Sequence, residues 1–241
     1  MSTREHEAKD YYDDFATGYE DARGRGYHGL IDDLEMEVIA PRARGVDVLE
    51  VGCGTGLLLE RVAREARRAV GVDLSPGMIG KARARGLEVA LASATALPYG
   101  DASFDLVYSV KVLAHVPALA DALAEAARVL RPSGRLLAEL YNPLSLRYLA
   151  KRLAGPQPIS DGRTEADVYT RWDPPWVLRR VLPPGLELVD VHGVRVVTPA
   201  AFVHRLPGVS ALFRRAEHAA LRSPLRWLGG FLVAELQRGP R

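Results

Sequence analysis

The sequence is poor in cysteine and has no long apolar run. Cys53 is the only cysteine among the 241 residues, so this sequence can form no intrachain disulfide. Its position inside a glycine-rich turn predicts packing rather than redox chemistry. No apolar stretch approaches the roughly 18 residues that a membrane-spanning helix needs, and the acidic, polar start of the chain is unlike a signal peptide. These features predict a cytoplasmic protein, and the length predicts one domain with a sizeable core.

Two common kinds of site are missing as well. No Gly-x-x-x-x-Gly-Lys phosphate loop occurs in the sequence. No cluster of arginines with interleaved aromatics is evident, so no nucleic-acid partner is expected. No metal is expected either, because the histidines show no spacing typical of metal ligands. They stand at positions 6, 28, 115, 192, 204 and 218.

The most informative segment is the nine residues Val48 to Gly56, which read VLEVGCGTG. Apolar residues around Glu50 predict a buried strand. Three glycines then follow at alternate positions, Gly52, Gly54 and Gly56. They predict a turn whose backbone approaches a ligand closely. An apolar, helix-compatible segment and a second strand ending at Asp73 complete a nucleotide-binding βαβ unit, in which Asp73 is placed to accept hydrogen bonds from ribose hydroxyls.

Two features of this segment indicate which nucleotide it binds. The dinucleotide fingerprint Gly-x-Gly-x-x-Gly fails, because Leu57 stands where its third glycine belongs. A carboxylate at Glu50 would repel a pyrophosphate at the helix N-terminus, but it would suit a ligand with an ammonium group and no phosphates. S-adenosylmethionine (SAM) is such a ligand. The alternative is a glycine-rich turn in an α/β protein that binds no nucleotide.

With these motifs the chain resembles the class I SAM-dependent methyltransferases, particularly the group that contains ubiquinone, menaquinone and small-molecule methyltransferases. Residues 92–99, 103–109 and 125–135 resemble further segments of that family, so the resemblance covers about residues 10 to 142. There are two departures. Ser93 stands where the family usually has an Asp that contacts the adenine amino group, and Ser133 replaces a common Gly. The resemblance implies SAM as the cofactor and S-adenosylhomocysteine (SAH) as its product.

The predicted fold is a Rossmann-like, doubly wound α/β sheet of seven mostly parallel strands with helices on both faces. Strands are expected at 46–51, 69–73, 87–91, 104–109, 135–141, 186–197 and 231–237. Helices are expected at 5–22, 32–39, 57–66, 76–84, 119–130, 145–153 and 175–182, with Pro41 ending the second, and a helical excursion at 200–222. Residues 1–42 are expected to form a helical cap, 43–142 the SAM-binding core, and 143–241 the elements that cover the substrate.

The ligand is expected beyond the carboxyl ends of the strands, where the strand order reverses beside strand one. The expected cofactor-binding residues are Tyr12, Tyr19, Glu50, Gly52, Cys53, Gly54, Gly56, Asp73, Leu74, Met78, Ser93, Ala94 and Lys111. Four of these have an alternative role. Met78 fits the core equally well, Tyr12 and Tyr19 fit an apolar helix stripe, and a lone lysine such as Lys111 is often a solvated surface group.

One residue is a candidate for catalysis. Methyl transfer needs mainly in-line positioning and exclusion of water, and a general base helps when the acceptor is a hydroxyl or a protonated amine. His115 follows strand four at the mouth of the expected cavity and has a suitable pKa, although the family also uses a histidine here structurally. Tyr141 and Asn142 could orient the acceptor. The absence of an Asn-Pro-Pro-Tyr or Asp-Pro-Pro-Tyr motif argues against methylation of nucleobase amines.

The identity of the methyl acceptor depends on variable segments, whose sequences say little about it. The 154–172 loop and the basic, amphipathic 200–227 segment could cover the cavity, and the latter fits a lid or dimer face better than contact with a membrane surface. A small, rather apolar acceptor is expected, with O-, N- or C-methylation left open, in a monomer or homodimer. The alternative function is a SAM-binding or SAH-binding protein with lost or changed chemistry. The glycine spacing and Glu50 oppose a dinucleotide-dependent oxidoreductase.

Overall fold

The computed structural model describes Asp13 and residues 26–155, 158–160, 163–164, 168–206 and 208–240. The predicted helix at 5–22 lies outside these residues apart from Asp13, which is helical. Tyr12 and Tyr19 lie outside them too. Among the helices of the described residues, none combines the length and the apolar character that crossing a membrane would require.

A seven-stranded mixed sheet forms the centre of the molecule and confirms the predicted fold class. Its strands lie in the order β3-β2-β1-β4-β5-β9-β8, and only β9 runs antiparallel to its neighbours. A separate two-stranded hairpin comprises β6 and β7. The strands are β1 Asp47–Val51, β2 Arg68–Asp73, β3 Glu88–Leu91, β4 Phe104–Ser109, β5 Leu130–Tyr141, β6 Pro158–Ser160, β7 Arg163–Thr164, β8 Leu186–Val194 and β9 Phe231–Arg238.

Helices precede or connect the first five strands, except between β3 and β4, and they pack on both faces of the sheet. One core cluster joins the sheet to α1 and α2, and the other joins it to α4 and α6. The helices are α1 Gly26–Ala43, α2 Leu57–Ala63, α3 Pro76–Ala84, α4 Leu119–Val129, α5 Leu146–Ala154, α6 Leu178–Val181 and α7 Val209–Ala220. Parallel strands with helical crossovers place all their carboxyl ends at one edge, and this is where a ligand cleft forms in such sheets.

Several predicted boundaries are wrong. Helix α1 begins at Gly26 and runs through Pro41 to Ala43. A proline in the last turn removes one helical hydrogen bond, whereas Val38, Ile39 and Ala43 of the same end are fully buried, so packing outweighs the loss. Strand β5 begins at Leu130, five residues earlier than expected, because its first residues pair with β4 through a register shift.

The covering segments also differ in detail. The predicted 154–172 loop contains the β6–β7 hairpin, and the 200–222 excursion contains a 3₁₀ turn at Ala201–Arg205 before α7. Helix α7 is anchored by the buried Glu217, whose carboxylate accepts hydrogen bonds from the backbone amides of Val196, Val197 and Thr198. The division into cap, core and covering elements stays a prediction.

Candidate active site

A large cleft opens at the carboxyl ends of β1, β2 and β4, where the strand order reverses. Its empty volume is about 1170 Å³, including the part open to solvent. The predicted site residues that line it are Glu50, Gly52, Cys53, Gly54, Asp73, Leu74, Met78, Ser93, Ala94, Lys111 and His115. Eleven residues predicted from separate segments therefore meet around one space. Gly56 is not among the lining residues, and Tyr12 and Tyr19 lie outside the described part of the chain.

The glycine turn is held by backbone bonds to β2. The amides of Gly52 and Cys53 both donate to the carbonyl of Val72, at 2.7 and 2.9 Å. Gly52 and Gly54 have φ of 80° and 54°, a region that favours glycine. A Cβ at Gly54 would have no atom within 4 Å, so this residue leaves its backbone open to the cleft.

The other two glycines serve packing. A Cβ at Gly52 would overlap the side chain of Val112, which follows β4 and also lines the cleft. A Cβ at Gly56 would overlap Leu87 and come within 3.3 Å of the Ala82 side chain on α3. Gly56 thus allows α3 to approach the start of α2, rather than facing the cleft.

Asp73 ties the end of β2 to the glycine turn. Its Oδ2 accepts from the Gly54 amide at 2.8 Å, and its Oδ1 accepts from the Ser75 amide at 2.9 Å. Each carboxylate oxygen retains a further lone pair for another donor. Burial raises the pKa of Asp73, while the amides of Ser75 and Gly54 oppose that rise. The carboxylate is therefore oriented by the backbone before any ligand arrives.

Glu50 is buried beneath the same turn. The Tyr108 hydroxyl donates to its Oε2 at 2.8 Å, and only 3% of Glu50 is exposed. Burial raises the pKa of Glu50 to about 8, against the opposing effects of Tyr108 and Lys111. At neutral pH this side chain is thus mostly a neutral acid without ligand, whereas the sequence analysis treated it as a carboxylate. A cation placed beside it would favour the ionised form.

Lys111 is not a solvated surface lysine. Its Nζ lies 2.7 Å from Asp32 Oδ1 and 2.9 Å from Glu35 Oε2, both on α1. Its φ of 61° is unusual for a residue other than glycine, and its amide donates to Glu139 Oε1 at 2.9 Å. Burial and the nearby Glu35 raise the pKa of Glu139 well above its usual range. Lys111 therefore links α1 to β5 at the cleft floor.

Apolar and small residues line another part of the cleft. Leu74 and Met78 follow Asp73, and Met78 is only 2% exposed, so it is a core residue that also borders the cleft. Ser93 Oγ lies 2.8 Å from Thr95 Oγ1 and accepts from the Thr95 amide at 3.2 Å, which stabilises the turn after β3. Cys53 is buried, and this burial raises the pKa of its thiol, which fits the predicted packing role.

His115 is oriented by backbone at the mouth of the cleft. Its Nδ1 lies 2.9 Å from the Tyr169 carbonyl oxygen, which can only accept, so Nδ1 carries the proton and Nε2 is the acceptor nitrogen. Nε2 lies 3.4 Å from the Tyr141 hydroxyl. Burial lowers the pKa of His115, which keeps the ring neutral near pH 7. The arrangement leaves a basic nitrogen beside the cleft.

Several lining or supporting residues were missed by the sequence analysis. Asp32 and Glu35 recur at helical spacing on α1 and reach Lys111, but nothing in their local pattern distinguishes them from solvated acids. Tyr108 had a usable signal, because β1 and β4 were both predicted, and their parallel register pairs Glu50 with Tyr108. The valines Val110, Val112 and Val116 follow β4 and also line or flank the cleft.

A separate polar cluster lies on β8 and β9, away from the lining residues of the cleft. Donor atoms of Asp190, His192 and Glu235 lie within 4.8 Å of one another. However, the guanidiniums of Arg42 and Arg135 contact the two oxygens of Glu235. Against the effect of burial, hydrogen bonds from His192, Arg42 and Arg135 lower the pKa of Glu235. The expectation of no metal stays a prediction.

Comparison with known proteins agrees with this geometry. Residues 49–138 match the family described as methyltransferase domain. The ubiquinone biosynthesis O-methyltransferase of Xylella fastidiosa strain 9a5c is 34% identical over 139 residues, which are 53% of this chain and 56% of that protein. The demethylmenaquinone methyltransferase of Tropheryma whipplei strain Twist is 38% identical over 125 residues, which are 46% of this chain and 52% of that protein. The chain thus matches little more than half the length of these relatives.

A solved structure supports the fold over nearly the whole chain. A SAM-dependent methyltransferase from Thermotoga maritima aligns with a TM-score of 0.66 at 20% identity, covering 95% of this chain and 99% of that one. The matched domain spans β1 to β5, the strands that build the cleft. Residues 49–138 therefore match the methyltransferase domain family, within a fold that the chain shares with a SAM-dependent methyltransferase.

Proposed function

We propose that the protein is a SAM-dependent methyltransferase that acts on a small, apolar or amphiphilic acceptor. The observation that carries the proposal is the convergence of the open Gly54 backbone, Asp73 and Glu50 on one cleft within a methyltransferase domain. Whether oxygen, nitrogen or carbon is methylated is left open, and a cytoplasmic location stays a prediction.

The residues present fit SAM at three places. Asp73 has lone pairs free for two ribose hydroxyls. Leu74 and Met78 offer apolar surface for the adenine ring, with Ser93 and Ala94 at its edge. The buried Glu50 offers a counter-charge for the methionine ammonium group. When bound, SAM supplies a methyl group made electrophilic by the sulfonium.

The chain itself would orient the ligands, exclude water from the cleft and provide a proton acceptor. The glycine turn and Asp73 fix one wall of the cleft through backbone bonds, so little reorganisation is needed on binding. Val112 and Val116 add apolar surface to the cleft, which favours the exclusion of water. His115 Nε2 would accept the proton of a hydroxyl or ammonium acceptor, with Nδ1–H held on the Tyr169 carbonyl.

The acceptor class is inferred from the surroundings of the cleft and from the relatives. Two relatives are named for quinone biosynthesis, and the mouth of the cleft near His115 is flanked by Tyr141 and Trp172. An apolar, ring-containing acceptor fits these aromatic neighbours better than a protein or a polynucleotide does. The alternative, cofactor binding without methyl transfer, would use the same Asp73 and Glu50.

One experiment separates the two functions. Purified protein is titrated with SAM and SAH by calorimetry, and then incubated with SAM and a panel of phenol, quinol and amine acceptors while SAH is measured. Binding at micromolar strength together with acceptor-dependent release of SAH is expected. Binding without turnover across the panel would favour the alternative, and absence of binding would contradict both.

A further inference from the structure

Arg147 is buried near the candidate active site, and no acid of the described residues forms an ion pair with it. It is 7% exposed, and its Nη1 is buried with no hydrogen-bond partner. Asp173, which follows the Trp172 that contacts Arg147, does not neutralise it, because Asp173 is paired with Arg171 through two contacts of 2.5 and 3.0 Å. A buried guanidinium with an unused donor is unfavourable unless an acceptor reaches it.

The surrounding residues fix the position of the Arg147 side chain. Its guanidinium carbon lies 4.3 Å from the ring centroids of Tyr141 and Phe231, and 4.8 Å from that of Trp172. These three rings hold the cation through cation–π contacts. Gly230 provides the space for the side chain, because a Cβ there would lie 2.9 Å from Arg147 Cδ.

The backbone of Arg147 is fixed equally well. It lies in the first turn of α5, whose N-cap Ser145 accepts from the Tyr148 amide at 3.1 Å. Asn142, which links β5 to that turn, donates to the carbonyls of Trp227 and Gly229 at 2.8 and 3.0 Å. An arginine placed by a capped helix, a buried amide and three rings has little freedom to turn away to solvent.

Arg147 is also close to the proposed chemistry. It stacks on Tyr141, whose hydroxyl lies 3.4 Å from His115 Nε2, and the rings of His115 and Tyr141 are 5.5 Å apart at centroids. His115 lines the cleft. The guanidinium thus lies one aromatic ring beyond the group placed to accept a proton. The charge is enclosed by aromatic rings, which complement an apolar ring rather than a flexible polar chain.

We propose that Arg147 determines acceptor specificity by binding an anionic oxygen, a carboxylate or a ring enolate, of an apolar ring-containing acceptor. This inference rests on the proposed function and adds to it the charge of the acceptor. The planar guanidinium provides parallel donors that match such oxygens, and the surrounding rings exclude water and strengthen the interaction. A neutral analogue of the same shape would leave the guanidinium without its partner.

Two matched pairs of probes test the proposal by calorimetry on SAH-saturated protein. The first pair is 3,4-dihydroxybenzoate and the neutral 3,4-dihydroxybenzyl alcohol. The second is 2-hydroxy-1,4-naphthoquinone, an anion at neutral pH, and the neutral 2-methoxy-1,4-naphthoquinone. The anionic member of at least one pair is expected to bind about tenfold or more tightly than its partner. The pair that shows the preference distinguishes a carboxylate from a ring enolate.

Variants assign the preference to Arg147. Arg147→Met keeps the length and apolar packing of the side chain and is expected to abolish the preference, while Arg147→Lys should give an intermediate one. Arg152→Gln, on the exposed side of the same helix, is the control and should behave as the wild type. All variants should bind SAH normally.

Several outcomes would overturn the proposal. One is a wild type that binds SAH but shows no preference in either pair, including no binding of either probe at millimolar concentration. Another is a folded Arg147→Met protein that keeps the preference. The wild-type comparison needs no variant, so a poorly folding substitution does not decide the result. Failure of the wild type to bind SAH would instead show that the proposed function, and the inference with it, is wrong.

Discussion

The Tyr108 hydroxyl donates a hydrogen bond of 2.8 Å to Glu50 Oε2, and the two residues are register partners on β4 and β1. This pair lies directly under the glycine turn, with Lys111 and the acids Glu35 and Asp73 acting on the same carboxyl group. Because burial prevails, the pKa of Glu50 is raised to about 8. The pair therefore makes cofactor binding sensitive to pH.

Affinity for SAM should rise with pH up to about 8 and fall above it, because the amino group of the ligand, with an ordinary pKa of about 7.7–8.0, then loses its charge. A cation bound beside Glu50 lowers the pKa of its carboxyl group, so binding below pH 8 releases a proton. The rise is limited to about tenfold per pH unit for one proton. Calorimetry in two buffers of different ionisation enthalpy measures the released proton directly.

Glu50→Gln is the matched variant for this test, since its amide oxygen can still accept from Tyr108. It should bind SAM more weakly at pH 8 and show a flatter dependence on pH between 6 and 8. If the variant releases as many protons as the wild type, then the protons come from another group, and Glu50 does not face the ammonium group.

Asp73→Ala should weaken SAM binding strongly. Each lost hydrogen bond between a carboxylate and a ribose hydroxyl should cost about 1.5–3 kcal/mol of binding free energy. The change also removes the acceptor of the Gly54 and Ser75 amides, so the free energy of unfolding should fall as well. Calorimetry and thermal unfolding measure the two effects separately. Asp73→Asn retains one acceptor oxygen and should lose less SAM affinity and less stability than Asp73→Ala. Unchanged SAM affinity in Asp73→Ala would show that Asp73 does not bind the cofactor.

Gly52→Ala and Gly54→Ala should have different effects. At Gly52 a methyl group overlaps Val112 and the φ is 80°, so the free energy of unfolding should fall by about 1–3 kcal/mol. At Gly54 there is space for a methyl group, but that space belongs to the cleft. This variant should lose SAM affinity with less loss of stability.

Denaturant unfolding and calorimetry on both variants test this contrast. Adding Val112→Ala to Gly52→Ala should restore part of the lost stability, because it removes the overlapping methyl groups. The backbone strain at φ of 80° would persist. Equal losses of affinity and stability in the two single variants would contradict the assignment of Gly52 to packing and Gly54 to the cleft.

Local sequence patterns were sufficient to predict the part of the fold in which strands and helices follow one another. The limits of β4 and α3 were predicted to the residue, since apolar runs and the Ser75-Pro76 start signal mark their ends. The end of α1 was not, because the buried packing of Val38 and Ala43 outweighs the effect of Pro41. The early start of β5 depends on pairing with Phe104, a contact that no local pattern contains.

The residues of the candidate site likewise fall into those that the sequence could predict and those that it could not. Residues adjacent to the glycine turn and to strand ends could be predicted, because topology brings strand ends together whatever the loops do. The ionisation of Glu50 and the ion pairs of Lys111 could not, since they depend on the distance of α1 from the sheet. Arg147 was missed because an arginine in a helix is usually solvated, and its burial follows from Trp172 and Phe231, far away in sequence.

The last prediction concerns His115, for which the sequence left a basic and a structural role open. The bond to the Tyr169 carbonyl fixes the proton on Nδ1, and the lowered pKa keeps Nε2 available at neutral pH. If His115 is the base for a hydroxyl acceptor, the rate of methyl transfer in the wild type should fall at low pH. The midpoint should lie below the ordinary histidine pKa of about 6.5.

His115→Ala should then lower the rate with a hydroxyl acceptor by about 10²-fold or more and remove that decline at low pH, while SAM affinity changes little. Tyr141→Phe removes only the hydroxyl that lies 3.4 Å from Nε2 and is the matched control; it should keep the pH profile. Initial rates of SAH formation between pH 5 and 8 measure all three proteins. A His115→Ala enzyme with unchanged turnover would assign the histidine to holding the Tyr169 segment, and catalysis would then depend on positioning alone.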